Sequence, residues 1–182
     1  QLGVSGLRVI STFDATAQVA AVQAVETVGP TSNTDGLRIG MAAVRPGTGE
    51  VVAVYGGPDF ATEPFNNATQ ASAQAGSTFK AFALAAATEA GITLDTLYPG
   101  KSGTVIAGYK VNNYGGESWK APISLLFATM HSVNSAYVQL TYDIGVDAVM
   151  NAASRAGIPD DTPGIQRNLT FVLGTASPHP LD

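Results

Sequence analysis

The chain has 182 residues, no cysteine, two histidines and a formal net charge of −5. With 45% hydrophobic and 13% charged residues it can bury the core of one globular domain, which argues against disorder. The missing cysteines exclude disulfides and thiolate metal sites, the two isolated histidines argue against a histidine-rich one, and four lysines in an acidic chain do not make the basic stripe a nucleic acid requires; no cofactor or metal is expected.

Residues 7–12 read as a strand and Asp14 as the N-cap of the helix that follows. Val19, Val22 and Val25 mark an apolar face of that helix, and Gly29-Pro30 ends it. Residues 31–36 form a polar loop. Two apolar runs, 37–44 and 50–55, joined by Pro46-Gly47-Thr48-Gly49, predict a β-hairpin. Residues 56–74 are irregular. A helix is expected over residues 77–90, closed by Gly91; Phe79, Phe82, Ala83, Leu84 and Ala87 make it apolar all round, as in a central buried helix. Residues 93–120 are rich in Gly, Asn and Tyr, with short strands around 104–111, and Asn112-Asn113-Tyr114-Gly115-Gly116 reads as a tight turn in preference to the wall of a substrate groove. Helices follow over 123–131, 135–144 and 146–157, and 169–173 reads as a short strand or extended segment. No apolar run reaches the ~20 residues of a membrane span.

Two short constellations carry chemistry. Ser77 and Lys80, at i and i+3 at the start of the apolar helix, share one face one turn apart. A serine hydroxyl alone is a poor nucleophile at neutral pH, and a neutral lysine beside it can take its proton. Burial in that helix would lower the lysine pKa by disfavouring its charged form. Taken alone, the pattern is equally a helix start with a solvated lysine. The second constellation is Ser132-Val133-Asn134, in the short loop between two helices. Its hydroxyl can relay a proton, and its carboxamide can bind a carbonyl group or fix the lysine; alone, it reads as an N-cap. His131 reads as a packing or surface residue. The Asn67-Ala68-Thr69 and Asn168-Leu169-Thr170 sequons read as chance matches.

Order, spacing and helical context together match the Ser-x-x-Lys and Ser-x-Asn motifs of the penicillin-recognising serine enzymes. The chain resembles the transpeptidase domain of a class A (bifunctional) penicillin-binding protein. The resemblance runs through Leu7-Arg8-Val9-Ile10-Ser11-Thr12-Phe13-Asp14, the segment from Ala42 to Ala53 with Tyr55-Gly56-Gly57, Phe65-Asn66-Asn67-Ala68 up to Lys80, His131 to Leu140, and Leu173-Gly174-Thr175 with Ser177 and Pro180-Leu181-Asp182. It implies an α+β fold, an antiparallel sheet packed by helices beside a helical subdomain. It further implies a D,D-transpeptidase in which Ser77 is acylated, Lys80 is the base, Ser132 relays a proton to the leaving amine, and Asn134 holds the donor peptide and orients the lysine. The implied partners are peptidoglycan stem peptides ending in D-Ala-D-Ala, β-lactam antibiotics and the remaining C-terminal part of the same domain. The implied location is the extracytoplasmic face of a bacterial membrane, anchored by a segment outside this chain.

One departure stands out. The family's third motif, Lys-Thr-Gly, is absent. Lys101-Ser102-Gly103 has related letters but lies between the first two motifs, after a Pro99-Gly100 turn. The expectation is therefore that residues 1–182 are the N-terminal part of one transpeptidase domain, without a glycosyltransferase domain or anchor. A D,D-carboxypeptidase and a non-enzymatic β-lactam sensor or inactive module remain alternatives. A class A β-lactamase is disfavoured, because Val133 stands where those enzymes have Asp and no Glu-x-x-Leu-Asn follows.

Overall fold

A computed structural model describes Gly6 and residues 8–182. Leu7, the first residue of the expected N-terminal strand, lies outside the described residues. The chain forms two compact units, one running to Ser72 and including His179–Leu181, the other Ala73–Pro178 with Asp182.

The first unit holds helix α1 (Ala15–Val28) and a hairpin of β1 (Met41–Val44) and β2 (Val51–Tyr55). The Asp14 carboxylate accepts from the Ala17 N–H at 2.9 Å, which is the N-cap the sequence implies. The hairpin pairs Met41 with Tyr55 and Ala43 with Ala53, then a bulge shifts Val44 onto Val51. The strand expected from residue 37 thus begins at Met41.

Two expectations for this unit are corrected. Residues 8–13 form no strand ladder. They meet β2 through the Thr12 hydroxyl on Val51 O at 2.7 Å and the Asp14 N–H on Val52 O at 2.9 Å. The next place along that edge is taken by Gln18 of α1, whose amide donates to Val54 O at 2.8 Å and accepts from Val54 N at 2.9 Å. A side chain has replaced the missing strand partner. The inward face of α1 follows from this: it runs through Gln18, Ala21, Val22 and Val25, and Val19 is 56% exposed.

The second unit opens with a 3₁₀ turn, Gly76–Phe79, that becomes helix α2 (Lys80–Glu89). Then come β3 (Leu97–Tyr98), the hairpin β4 (Thr104–Ile106) and β5 (Tyr109–Val111), β6 (Ile123–Ser124), and helices α3 (Leu125–Met130), α4 (Asn134–Ile144) and α5 (Val146–Ala156). β3 pairs antiparallel with β6, Leu97 opposite Ser124. Gly157 ends α5 in the left-handed region at φ 117°, as the sequence implies. Fully buried Phe79, Leu125, Tyr137, Leu140, Val149 and Phe171 form the core, each apolar side chain of this kind stabilising by about 1.5–3 kcal/mol.

Three further expectations change here. α2 is one-sided: Ala83, Ala86 and Ala87 are buried while Ala81 and Ala85 face solvent. Ile123 and Ser124 belong to β6, and α3 begins only at Leu125, because the Ser124 hydroxyl accepts from the Phe127 N–H and caps it there. Residues 169–173 are a 3₁₀ helix, not a strand: Asn168 caps it through the Thr170 N–H at 3.0 Å, and Phe171 reaches the Phe79 ring edge-on at 5.3 Å.

Candidate active site

The 3₁₀ turn is held from below by a second chain segment. Gly76 N donates to Gly174 O and Ala75 N to Ala176 O, both at 3.0 Å. Gly76 and Gly174 both adopt left-handed φ, 60° and 71°, and a Cβ on Gly174 would overlap the Gly76 backbone. This close approach fixes the residue before Ser77.

Ser77 is exposed on the turn, and Lys80 is 5% exposed. The Lys80 amine lies 2.6 Å from Ser77 Oγ, 3.0 Å from Ser132 Oγ and 2.8 Å from Asn134 Oδ1. The structure therefore brings all four sequence-predicted residues together on one nitrogen, whose three donor positions are filled when it is protonated. Among the described residues no ion pair involves it. Its other close neighbour is the Tyr137 ring, 5.8 Å from nitrogen to centroid. That phenol stays neutral: burial pushes its pKa up, outweighing the opposite pull of Thr129 Oγ1 at 2.7 Å from its oxygen. Burial without a countercharge lowers the Lys80 pKa from its ordinary 10.5 to about 8.

Ser132 reaches the amine from a left-handed backbone, φ 53°, a conformation costly for a residue with a Cβ. Val133 follows, buried at the N-cap of α4, and Asn134 is the first residue of that helix. The Asn134 amide donates to Asn112 O at 2.9 Å, which leaves its oxygen for the lysine.

For Asn112 and Asn113 the sequence favoured a tight turn over a groove wall, and neither reading includes the bonds they make to α4. Asn113 is 6% exposed, and its side chain bonds two loop carbonyls and the first turn of α4. Its amide donates to Gly100 O and Glu117 O, both at 2.9 Å, and its oxygen accepts from the Ser135 N–H at 3.0 Å. The available signal was an Asn-Asn pair in front of Tyr-Gly-Gly, more amide than a turn needs.

Lys101-Ser102-Gly103 serves the β4–β5 hairpin. Gly103 N donates to Val111 O at 2.8 Å, Ser102 Oγ accepts from Asn113 N at 3.0 Å, and Lys101 is exposed. His131 is exposed and stacks on Phe127 at 4.1 Å, with Trp119 edge-on to the same ring at 5.4 Å. Among the described residues no group of three or more His, Cys, Asp or Glu side chains is placed to hold a metal ion, and no helix is long and apolar enough to cross a membrane.

Comparison with known proteins agrees with this geometry. The family model described as penicillin binding protein transpeptidase domain matches residues 39–167. The chain is 35% identical over 172 residues to penicillin-binding protein 1A of Mycolicibacterium smegmatis, covering 93% of this chain and 21% of that protein. It is 31% identical over 188 residues to penicillin-binding protein 2D of Bacillus subtilis, covering 100% of this chain and 26% of that one. The chain thus spans about a quarter or less of these curated relatives. The solved penicillin-binding protein PonA1 from Mycobacterium tuberculosis superimposes with a TM-score of 0.80 at 32% identity, covering 100% of this chain and 48% of that chain. Penicillin-binding protein A from M. tuberculosis shares the fold, with a TM-score of 0.75 at 23% identity over 94% of this chain and 49% of that one. Its α+β fold is therefore that of the penicillin-binding transpeptidases, and the chain belongs to the penicillin-binding protein transpeptidase domain family, in its class A branch.

Proposed function

We propose that the chain carries the nucleophile of a peptidoglycan D,D-transpeptidase that crosslinks stem peptides through a serine ester and is inhibited covalently by β-lactams. The observation that supports this most is the buried Lys80 amine, bonded at once to Ser77, Ser132 and Asn134, with a pKa of about 8.

In this reading Ser77 Oγ attacks the carbonyl of the penultimate D-Ala while its proton passes to neutral Lys80. Positioned bases of this kind contribute about 10²–10⁴-fold. The tetrahedral oxyanion is met by the Ser77 N–H. When it collapses, the peptide bond breaks and the Ser132 hydroxyl protonates the departing D-Ala amine. Lys80 then reprotonates Ser132, which balances the proton count and leaves the amine neutral. An amine of a neighbouring stem peptide attacks the ester, the new amide forms, and Ser77 recovers its proton. A β-lactam follows the first half: Ser77 opens the ring amide and remains esterified. Asn134 binds the donor peptide through the second N–H of its amide, the first being held by Asn112 O.

Residues 1–182 are, on this proposal, the N-terminal part of one transpeptidase domain, and the second oxyanion donor and the Lys-Thr-Gly motif come from polypeptide beyond them. The site then works on the extracytoplasmic side of a bacterial membrane, where stem peptides are. The test is to label the complete polypeptide that contains these residues with a fluorescent penicillin and map the modified peptide by mass. Label on Ser77 supports the proposal; label elsewhere, or none on a folded protein, overturns it. Release of free D-Ala without crosslinked product would assign the same site to a carboxypeptidase.

A further inference from the structure

We propose that Asn113 is a positioning residue for the Ser77–Lys80 pair: its carboxamide caps α4 from outside the helix, and this holds the Asn112 carbonyl where it selects the orientation of Asn134. The proposal rests on the reading of Ser77 and Lys80 as the acylating pair.

The start of α4 is irregular. α4 delivers Asn134, yet its N-cap residue is Val133, which has no hydrogen-bonding side chain. A helix start leaves several N–H groups without intrahelical partners, and Ser, Thr, Asp or Asn normally satisfies one. Val133 is 1% exposed and packed in the core, so that position has no room for polarity. The Ser135 N–H, one of the orphaned donors, is instead satisfied by Asn113 Oδ1, 22 residues earlier in the chain. The cap has been moved from the helix to the loop facing it.

The rest of Asn113 is spent on that loop. Its two amide donors hold Gly100 O and Glu117 O, so one side chain ties together both ends of residues 100–117. Its own N–H is held by Ser102 Oγ, and the Ser135 hydroxyl returns a bond to Pro99 O at 2.9 Å. The residue next to it, Asn112, is thereby fixed against the first turn of α4, where its carbonyl accepts the Asn134 amide. A carboxamide has one donor end and one acceptor end. With the donor end committed to Asn112 O, the oxygen faces the Lys80 amine at 2.8 Å. Loosening the loop lets Asn134 rotate and present its NH₂ to an amine that it cannot help to hold. The groups facing that amine are Ser77, Ser132, Asn134 and the neutral Tyr137 ring, so no carboxylate compensates.

The experiment follows covalent penicillin labelling of the complete polypeptide as a function of pH, per folded molecule, for Asn113→Ala, Ser102→Ala and Ser77→Ala. Asn113→Ala is expected to slow acylation about 10–100-fold, in line with the effect of a misplacement of about 1 Å in a reacting group. It should also move the midpoint of the pH–rate profile to lower pH, because an acceptor that favours the ammonium is lost. A purely structural residue would lower the melting temperature and leave the midpoint alone; an unchanged rate and midpoint in folded Asn113→Ala overturns the proposal. Where Asn113→Ala does not fold, Ser102→Ala decides, since it frees the Asn113 backbone by removing one partly exposed hydroxyl. A smaller shift in the same direction supports the proposal, and no shift overturns it. Persistent labelling of Ser77→Ala would instead overturn the underlying assignment of the nucleophile.

Discussion

Lys80 Nζ lies 2.6 Å from Ser77 Oγ across a single turn that is 3₁₀, not α. The difference matters. Side chains at i and i+3 are offset around an α-helix but eclipse one another in a 3₁₀ helix. The tighter winding of Gly76–Phe79 brings the serine over the lysine, and the α-helix begins only at Lys80. The turn thus supplies alignment, and the helix supplies burial for the amine.

The burial sets a pH dependence. A lysine of pKa about 8 is neutral in about one molecule in ten at pH 7, against fewer than about one in a thousand at its ordinary value. The rate of acylation by a β-lactam should therefore rise with pH through a midpoint near 8. A profile flat from pH 6 to 9 would show that Lys80 is not the base. Lys80→Arg should not acylate at any pH in this range, because a guanidinium stays protonated. The same group acts on stability with a definite sign. Its folded pKa is below its unfolded one, so between about 8 and 10.5 the unfolded chain binds more protons. Its contribution to stability accordingly rises with pH across that window, and replacing Lys80 with Met should remove that rise in a denaturation series.

Ser132 allows function and stability to be separated in one variant. Its hydroxyl is 3.0 Å from the amine, and its backbone sits at φ 53°. Ser132→Gly removes the proposed proton relay while relieving the left-handed strain, which for a residue with a Cβ is about 1–2 kcal/mol. Turnover of a stem-peptide substrate is expected to fall about 10²–10⁴-fold, the usual contribution of such a group. The melting temperature should hold or increase. Retained turnover in this variant would remove Ser132 from the mechanism.

How much of this was legible in the sequence depends on how local each feature is. The Asp14 cap, the hairpin around residues 46–49 and the Gly157 stop are set by neighbouring residues, and all three form as expected. That Ser77, Lys80, Ser132 and Asn134 would meet was legible because each motif is short and its residue types are chemically marked. What failed was decided at a distance. Whether residues 8–13 form a ladder depends on Gln18 reaching Val54, and whether Ile123 is helical depends on β3 lying opposite. The cap of α4 was invisible because it sits 22 residues away from the amide it serves. A 3₁₀ helix at Leu169–Leu173 and a strand have the same short apolar letters, and only the fit of Phe171 against Phe79 separates them.

The support beneath the Ser77 turn leads to a contrast between two glycines. Gly76 and Gly174 share a left-handed backbone and a hydrogen bond of 3.0 Å. A Cβ on Gly76 meets nothing within 4 Å, whereas one on Gly174 would run into the Gly76 backbone. Gly76→Ala therefore incurs only the conformational strain, about 1–2 kcal/mol. Gly174→Ala incurs the same strain plus overpacking against main chain that cannot rotate away, typically about 1–3 kcal/mol more. The overlap can be relieved only by pushing the two segments apart, and one of them carries Ser77. Gly174→Ala should thus lose both stability in urea and acylation rate per folded molecule, while Gly76→Ala loses less of each. Equal behaviour of the two variants would show that the Ser77 turn does not depend on the segment beneath it.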